Sequence, residues 1–131
     1  WTCTCGRRWL MKNKVKGGTM VKGGLQHERD MTRLVVSWCI NHFNLDVHDT
    51  DINVLLRTYT DCHGTCVDND DGGYDIEISF NQSLRDFVAT IVHEMVHVKQ
   101  YVTGKWKGTG EREASNLQYK LTDKLWKENI L

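Results

Sequence analysis

The segment 84–103 constrains the fold most strongly, because it combines an apolar core with polar groups that need partners. Its centre reads TIVHEMVHV, in which His93, Glu94 and His97 interrupt a run of largely apolar residues. An α-helix has about 3.6 residues per turn, so the two histidines lie on one face and Glu94 is rotated by about 100°. Buried polar groups without partners are costly. The segment therefore predicts a buried helix whose two imidazoles share one partner.

The spacing HExxH on a helix is typical of zinc enzymes, in which both histidines bind the ion and the glutamate is the general base for a metal-activated water. We therefore expect one zinc ion, Zn2+, bound by His93 and His97, with Glu94 as the catalytic residue. A catalytic zinc usually has three protein ligands and one open position, so a third ligand is needed. No histidine follows His97, which favours a carboxylate. The downstream acids are Glu111, Glu113, Asp123 and Glu128.

The remaining sequence predicts a single α+β domain. Apolar periodicity indicates a helix over 28–43, and alternation indicates strands over 52–58 and 74–80. The stretch between the strands, 61–73, is rich in Asp, Asn and Gly and is interpreted as a loop. Residues 81–83 can cap the helix over 84–103, Gly104 ends it, and a last helix begins at Glu111 and runs to 125 or beyond. The predicted order is helix, two strands, helix, helix.

Residues 1–27 differ from the rest of the chain in charge. They hold no acid and six basic residues, Arg7, Arg8, Lys12, Lys14, Lys16 and Lys22. The whole chain has 17 basic and 17 acidic residues, so residues 28–131 carry a formal charge of −6. We therefore divide the chain into a basic, glycine-rich, irregular arm over 1–27 and a domain over 28–131 that carries the HExxH motif. A solvated tail is favoured for the arm, and contact with nucleic acid is the alternative.

Cysteine usage and hydropathy bear on the compartment. The five cysteines are odd in number and scattered, which favours reduced thiols over a disulfide framework. The alternative is a second, structural zinc site formed by Cys3, Cys5, Cys62 and Cys66. No run approaches the roughly 18 apolar residues that span a bilayer, and residues 1–16 show no signal-peptide pattern. We expect a cytoplasmic or virion-associated protein without a membrane partner.

The stretch HEMVHVKQY, followed by EREAS at the start of the next predicted helix, resembles the small gluzincin-type zinc metallopeptidases. It is especially similar to short HExxH proteins encoded by bacteriophages, often described as SprT-like. The resemblance covers residues 74–120 and implies a minimal zincin-like domain. It also implies Glu111 as the third metal ligand, because Glu111, Ala114 and Ser115 match a ligand pattern of that family. Glu113 stays open as the alternative ligand.

The resemblance also implies a substrate mode and an activity. An edge strand at 75–80 lies beside the cleft, and an extended peptide adds to it as a further strand. The implied function is hydrolysis of peptide bonds in a protein or peptide substrate. The alternative is a structural or binding protein, such as a virion component, in which zinc only joins helices. A third hypothesis is a protease that associates with nucleic acid through the basic arm. Cleavage specificity and oligomeric state do not follow from the sequence.

Overall fold

A computed structural model describes residues 18–46, 49–58, 63–70 and 72–130. Within these residues the chain forms three α-helices and one four-stranded sheet. Their order is β1 (Thr19–Gly23), α1 (Gln26–His42), β2 (Asp51–Arg57), β3 (Gly64–Asp68), β4 (Gly73–Ser79), α2 (Leu84–Thr103) and α3 (Glu111–Lys127). The α+β class predicted from the sequence is confirmed, and α2 has the predicted bounds. None of the helices in these ranges is both long enough and apolar enough to cross a membrane.

The sheet has the strand order β1-β2-β4-β3, in which β1, β2 and β4 are parallel and β3 is antiparallel to β4. The two predicted strands, 52–58 and 74–80, are present as β2 and β4. The prediction of a two-stranded sheet is wrong, because β1 and β3 also belong to it. β3 lies in the segment interpreted as a loop, 61–73. The prediction of an edge strand at 75–80 is also wrong, because β4 pairs with β2 on one side and β3 on the other. With both edges of its backbone hydrogen-bonded, β4 cannot accept a further strand. The strands at the two edges of the sheet are β1 and β3, and β3 is the one that pairs with β4.

Residues 19–23 of the predicted arm are part of this sheet. β1 pairs with β2 in parallel from Thr19 to Gly23, within the segment predicted to be an irregular arm. The predicted boundary at residue 27 falls inside α1, which begins at Gln26. Residues 1–17, which carry most of the basic side chains of the predicted arm, lie outside the described residues, and so do Cys3, Cys5 and Cys62.

The hydrophobic core lies between one face of the sheet and the helices. Ile52, Val54 and Leu56 of β2 are in register with Tyr74, Ile76 and Ile78 of β4, so all six side chains share one face. Apolar side chains of all three helices pack against them, including Val35, Val36, Phe87, Ile91, Met95, Leu121 and Leu125. The strands that the helices cover are buried as continuous runs, as expected for strands that pair in parallel.

The alternate residues of β4 point to the opposite face, as predicted, yet they too are buried: Asp75, Glu77 and Ser79. Two polar contacts on this face involve neighbouring β2. Arg57 forms a 3.0 Å ion pair with Glu77, and the Asn53 side-chain amide donates to Asp75 at 3.4 Å. These contacts offset part of the cost of removing the two carboxylates from water.

Both ends of α2 are set by local chemistry. Ser83 precedes the helix, and its hydroxyl accepts a 3.2 Å hydrogen bond from the backbone N–H of Asp86. Gly104 follows it with a left-handed φ of 67°, and its N–H donates to the carbonyl of Gln100 at 2.8 Å. Between these ends almost every side chain from Phe87 to Val98 is buried. α2 is therefore a fixed central helix, in contact with the sheet, α1 and α3.

The cap of α2 gives a stability prediction. We expect Ser83→Ala to lower the free energy of unfolding by about 1 kcal/mol, because the first turn loses an acceptor for an N–H group. Ser83→Asp keeps an acceptor and should retain most of the stability. Ser115→Ala, on an exposed position of α3, is the control. Urea denaturation of the four proteins checks this, and equal stability of wild type and Ser83→Ala would contradict it.

Candidate metal centre

The HExxH helix and the first residue of α3 bring three side chains together. Glu111 begins α3, and its carboxylate spans both histidines of α2. Its Oε2 lies 2.9 Å from Nε2 of His93, and its Oε1 lies 3.0 Å from Nε2 of His97. One potential ligand atom from each of the three residues lies within 4.8 Å of the other two. Among the described residues this is the group of His, Cys, Asp and Glu side chains that could hold a metal ion.

Each imidazole is also held at its other nitrogen by a glutamine. Nδ1 of His93 lies 2.6 Å from Oε1 of Gln118, and Nδ1 of His97 lies 2.9 Å from Oε1 of Gln100. An amide oxygen can only accept, so both contacts require a proton on Nδ1. A neutral imidazole carries one N–H, and each Nε2 then presents its lone pair. The glutamines therefore select the tautomer that a metal ion needs.

The proton count shows whether this donor set fits a cation. With Nδ1 protonated on both rings, Nε2 of a neutral ring carries no proton. Each Nε2 then faces a Glu111 oxygen, so two acceptors lie opposite each other unless the ring is a cation. Burial, the largest influence, lowers the pKa of His93 and opposes that charged form. A metal ion binds both lone pairs and the carboxylate at once, and so removes the conflict. Ligands about 2.1 Å from a tetrahedral ion lie about 3.4 Å apart, within the range of this group. The residues fit a metal ion.

Gln100 does more than orient His97. Its Nε2 donates to the carbonyl of Gly110 at 2.9 Å and to Oε1 of Glu113 at 2.9 Å. Gly110 is the N-cap of α3, with a left-handed φ of 81°, and a Cβ there would lie 2.2 Å from Oε1 of Gln100. A side chain at position 110 is therefore excluded. One buried amide thus connects a candidate ligand on α2 to the turn that positions Glu111.

The other acids downstream of the HExxH motif have different partners. Glu113 accepts hydrogen bonds from Gln100 at 2.9 Å and from Nζ of Lys99 at 3.0 Å. These bonds, that from Gln100 foremost, hold the pKa of Glu113 below its usual value. The remaining two contact residues away from the group: Asp123 pairs with Arg85, and Glu128 accepts from Trp38. The structure thus brings Glu111, and not its alternative Glu113, to the histidines.

Glu94 is placed beside this group without belonging to it. Its side chain is fully buried on α2, facing the edge strand β3. A Cβ at Gly64 of β3 would lie 3.1 Å from Oε2 of Glu94 and 2.8 Å from the methyl group of Thr90. The close approach of strand and helix therefore depends on glycine at position 64. A carboxylate adjacent to a metal group but outside its ligand set has the position that a proton acceptor needs.

Cys66, the one member of the alternative cysteine site that the structure describes, lies on β3 and is half-buried. Burial, followed by the charge of Glu94, raises the pKa of its thiol. Cys66 is not part of the metal group in the described residues. Its side chain shares the helix-facing side of β3 with Gly64, because the two residues are in register with Ile76 and Ile78.

Sequence reasoning missed the supporting residues Gln100, Gln118 and Gly110. Gln118 lies two turns after Glu111 on the same face of α3, a spacing visible in the sequence. Glutamine on a helix is nevertheless common and carries no metal signature, so only the contact between helices identifies it. Comparisons of the chain with models of known protein families, with curated protein sequences and with solved structures found no match. The assignment of the site therefore depends on its geometry.

The two neighbouring acids provide a matched test of the third ligand. We expect Glu111→Gln to weaken zinc binding by more than about 100-fold, because the only carboxylate of the group is lost. Mutations of residues that merely support a metal ligand typically weaken binding by up to roughly 100-fold. Glu113→Gln should bind zinc nearly as wild type does, since its amide oxygen can still accept from Gln100. Competition with a chromophoric chelator measures both affinities. Loss of binding in Glu113→Gln alone would reverse the assignment.

The role of Gln100 gives a second prediction. We expect Gln100→Leu to lower zinc affinity by about 10- to 100-fold, because the orientation of His97 and of the turn at Gly110 is lost together. Gln26→Leu, the same change at an exposed position of α1, is the control and should leave affinity unchanged. The chelator competition again provides the measurement, with circular dichroism to verify folding. A folded Gln100→Leu protein with wild-type affinity would show that zinc binding does not depend on the contacts of Gln100.

Proposed function

We propose that this protein is a zinc-dependent peptidase in which His93, His97 and Glu111 hold the ion and Glu94 is the general base. The observation that carries the proposal is the convergence of two histidine lone pairs and one carboxylate on a single point, beside a buried glutamate outside that group. Zinc suits two imidazoles and a carboxylate, and three protein ligands leave a position open for catalysis. The exposed fraction of the Glu111 side chain, 37%, gives solvent access to that position.

The architecture supports the same assignment. An HExxH helix with an edge strand beside it is the arrangement that the resemblance to gluzincins implies. The edge strand of that arrangement corresponds to β3 and not to β4, and β3 lies directly beside Glu94. Among the described strands β3 is terminal, so one edge of its backbone can pair with an extended peptide. We therefore propose a zincin-like domain whose substrate is a protein or peptide bound along β3.

The chemistry follows from the positions of the side chains. When bound, zinc supplies a Lewis acid that polarises the scissile carbonyl and lowers the pKa of a coordinated water towards neutrality. Glu94 accepts a proton from the attacking water as the water oxygen bonds to the carbonyl carbon. Glu94 then delivers that proton to the amine as the C–N bond breaks. Gln100 and Gln118 keep both imidazoles in one tautomer throughout, so neither ring competes with Glu94 for the proton.

The alternative function, a zinc-stapled structural or binding protein, also has an observation in its favour. Glu111 and Gln118 both belong to α3 and both contact histidines of α2, so an ion here joins the two helices. A closed structural site has four protein ligands, whereas the group in the described residues has three. A structural site also has no use for a buried glutamate next to the ion. We therefore place catalysis first.

Glu94→Gln separates the two functions. We expect the variant to bind one zinc ion as wild type does, because position 94 is not a ligand, while peptide hydrolysis falls by a factor on the order of 10² to 10⁴. Zinc content by atomic spectroscopy and hydrolysis of a peptide library by mass spectrometry check the two parts. Glu128→Gln, an exposed acid at the end of α3, is the control.

Zinc in both proteins with no hydrolysis by either would favour the structural function. Hydrolysis that survives Glu94→Gln would remove Glu94 from its role.

A further inference from the structure

Three aromatic rings form a continuous surface next to the metal group. The ring of Tyr101 stacks on that of Tyr74, with 6.1 Å between centroids and 18° between planes, and meets Trp106 edge to face at 6.0 Å. Tyr74 is buried, whereas Tyr101 is 39% exposed and Trp106 is 47% exposed. We call these three residues the aromatic wall. Its inner end is fixed in the core by Tyr74, and its outer end presents two rings to solvent.

The wall lies on the side of α2 that carries the candidate catalytic groups. Tyr101 follows His97 by one turn, and on the helix it is rotated by about 40° from His97 and about 20° from Glu94. Burial and then the charges of Cys66, Asp68, Glu94 and Glu111 raise the pKa of the Tyr101 phenol, which places that ring in the same electrostatic surroundings. Asp68, at the far end of β3, is in register with Tyr74. The wall and the metal group therefore lie on the same side of α2.

The distance between the wall and the metal group can be given in peptide units. Tyr101 is seven residues beyond Glu94, a rise of about 10 Å, and four residues beyond His97, a rise of about 6 Å. An extended peptide advances about 3.3 Å per residue, so this distance corresponds to two or three residues. β3 covers the same interval, from Gly64 beside Glu94 to Asp68 beside Tyr74. A peptide paired with β3 and cleaved near Glu94 would pass the wall two or three residues away.

We propose that Tyr101 and Trp106 form a specificity subsite for an aromatic or large apolar side chain of an extended peptide, two or three residues from the scissile bond. This inference rests on the proposed peptidase function and adds the class of residue that is recognised. Two exposed rings supported by a third offer both apolar area and edge-to-face contacts at low entropic cost. Beyond Trp106 the surface continues into a groove of about 740 Å³, also lined by Leu117, so a bulky side chain has room.

The first experiment is cleavage of a randomised peptide mixture by the zinc-loaded protein, with cleavage sites counted by mass spectrometry. We expect enrichment of Phe, Tyr, Trp or Leu, on the order of tenfold over Ala, at one position two or three residues from the cleaved bond. Trp106→Ala should abolish the enrichment, so that peptides with Phe and peptides with Ala at that position are cleaved at similar rates. Trp106→Phe should restore part of the enrichment. Trp126→Ala, which removes another exposed Trp, 39% exposed on α3, is the control.

A second readout separates the failure of this inference from that of the proposed function. Isothermal titration calorimetry compares two peptides that differ only by Phe or Ala at the selective position. When no position is selective, each candidate position is tested in turn. The proteins are zinc-loaded Glu94→Gln and the double variant that also carries Trp106→Ala. Hydrolysis without enrichment, or enrichment that survives Trp106→Ala, overturns the subsite and leaves the peptidase standing. No hydrolysis, with tighter binding of the Phe peptide that Trp106→Ala removes, overturns catalysis and supports the subsite. No hydrolysis and equal binding overturn both.

Discussion

The double contact of Glu111 with His93 and His97 is the interaction on which the arrangement of the site depends. One carboxylate reaches two successive turns of α2, at 2.9 and 3.0 Å, and thereby fixes the start of α3. The glutamines take the other nitrogen of each ring, so each neutral imidazole faces two acceptors with one proton. A cation bound between the rings and the carboxylate satisfies every group. The surrounding side chains would thus suit a bound cation. Gly110 has no room for a side chain, because the amide of Gln100 occupies the space beside it.

A metal ion in this group would also favour the burial of Glu94. A carboxylate that is fully buried is costly unless an opposite charge lies near it. A divalent cation held by two neutral imidazoles and Glu111 would retain one net positive charge beside Glu94 on the adjacent face of α2. The glutamines matter in this balance, because an amide oxygen orients a ring without adding negative charge. Carboxylates in their place would reduce the net positive charge near Glu94.

The sequence predicts the parts of this fold that depend on local information. The helix α2 has a cap at Ser83, a left-handed glycine at position 104 and a long apolar stripe, all within twenty-odd residues, and its bounds were predicted correctly. The two histidines and Glu94 follow from their spacing on that helix. Glu111 was found through the resemblance to a family pattern, while spacing alone left Glu113 open. Only tertiary contacts distinguish Glu111 from Glu113. Lys99 and Gln100 bind Glu113 and hold it away from the histidines.

The parts that the sequence does not predict depend on partners distant in the chain. β3 has five residues, of which Gly64, Cys66 and Asp68 are on the side that faces the helices. A glycine, a cysteine and an aspartate give no alternating hydrophobic signal. β1 buries only Val21 among its apolar residues, so its strand state comes from pairing with β2. These short strands nevertheless decide which backbone edge borders Glu94. Because a peptide that adds to a sheet contacts backbone more than side chains, residue patterns record the catalytic groups better than the surface that receives the substrate. In this chain the edge strand that we propose for peptide binding, β3, is identified only from the closeness of Gly64 to Glu94 in the folded structure.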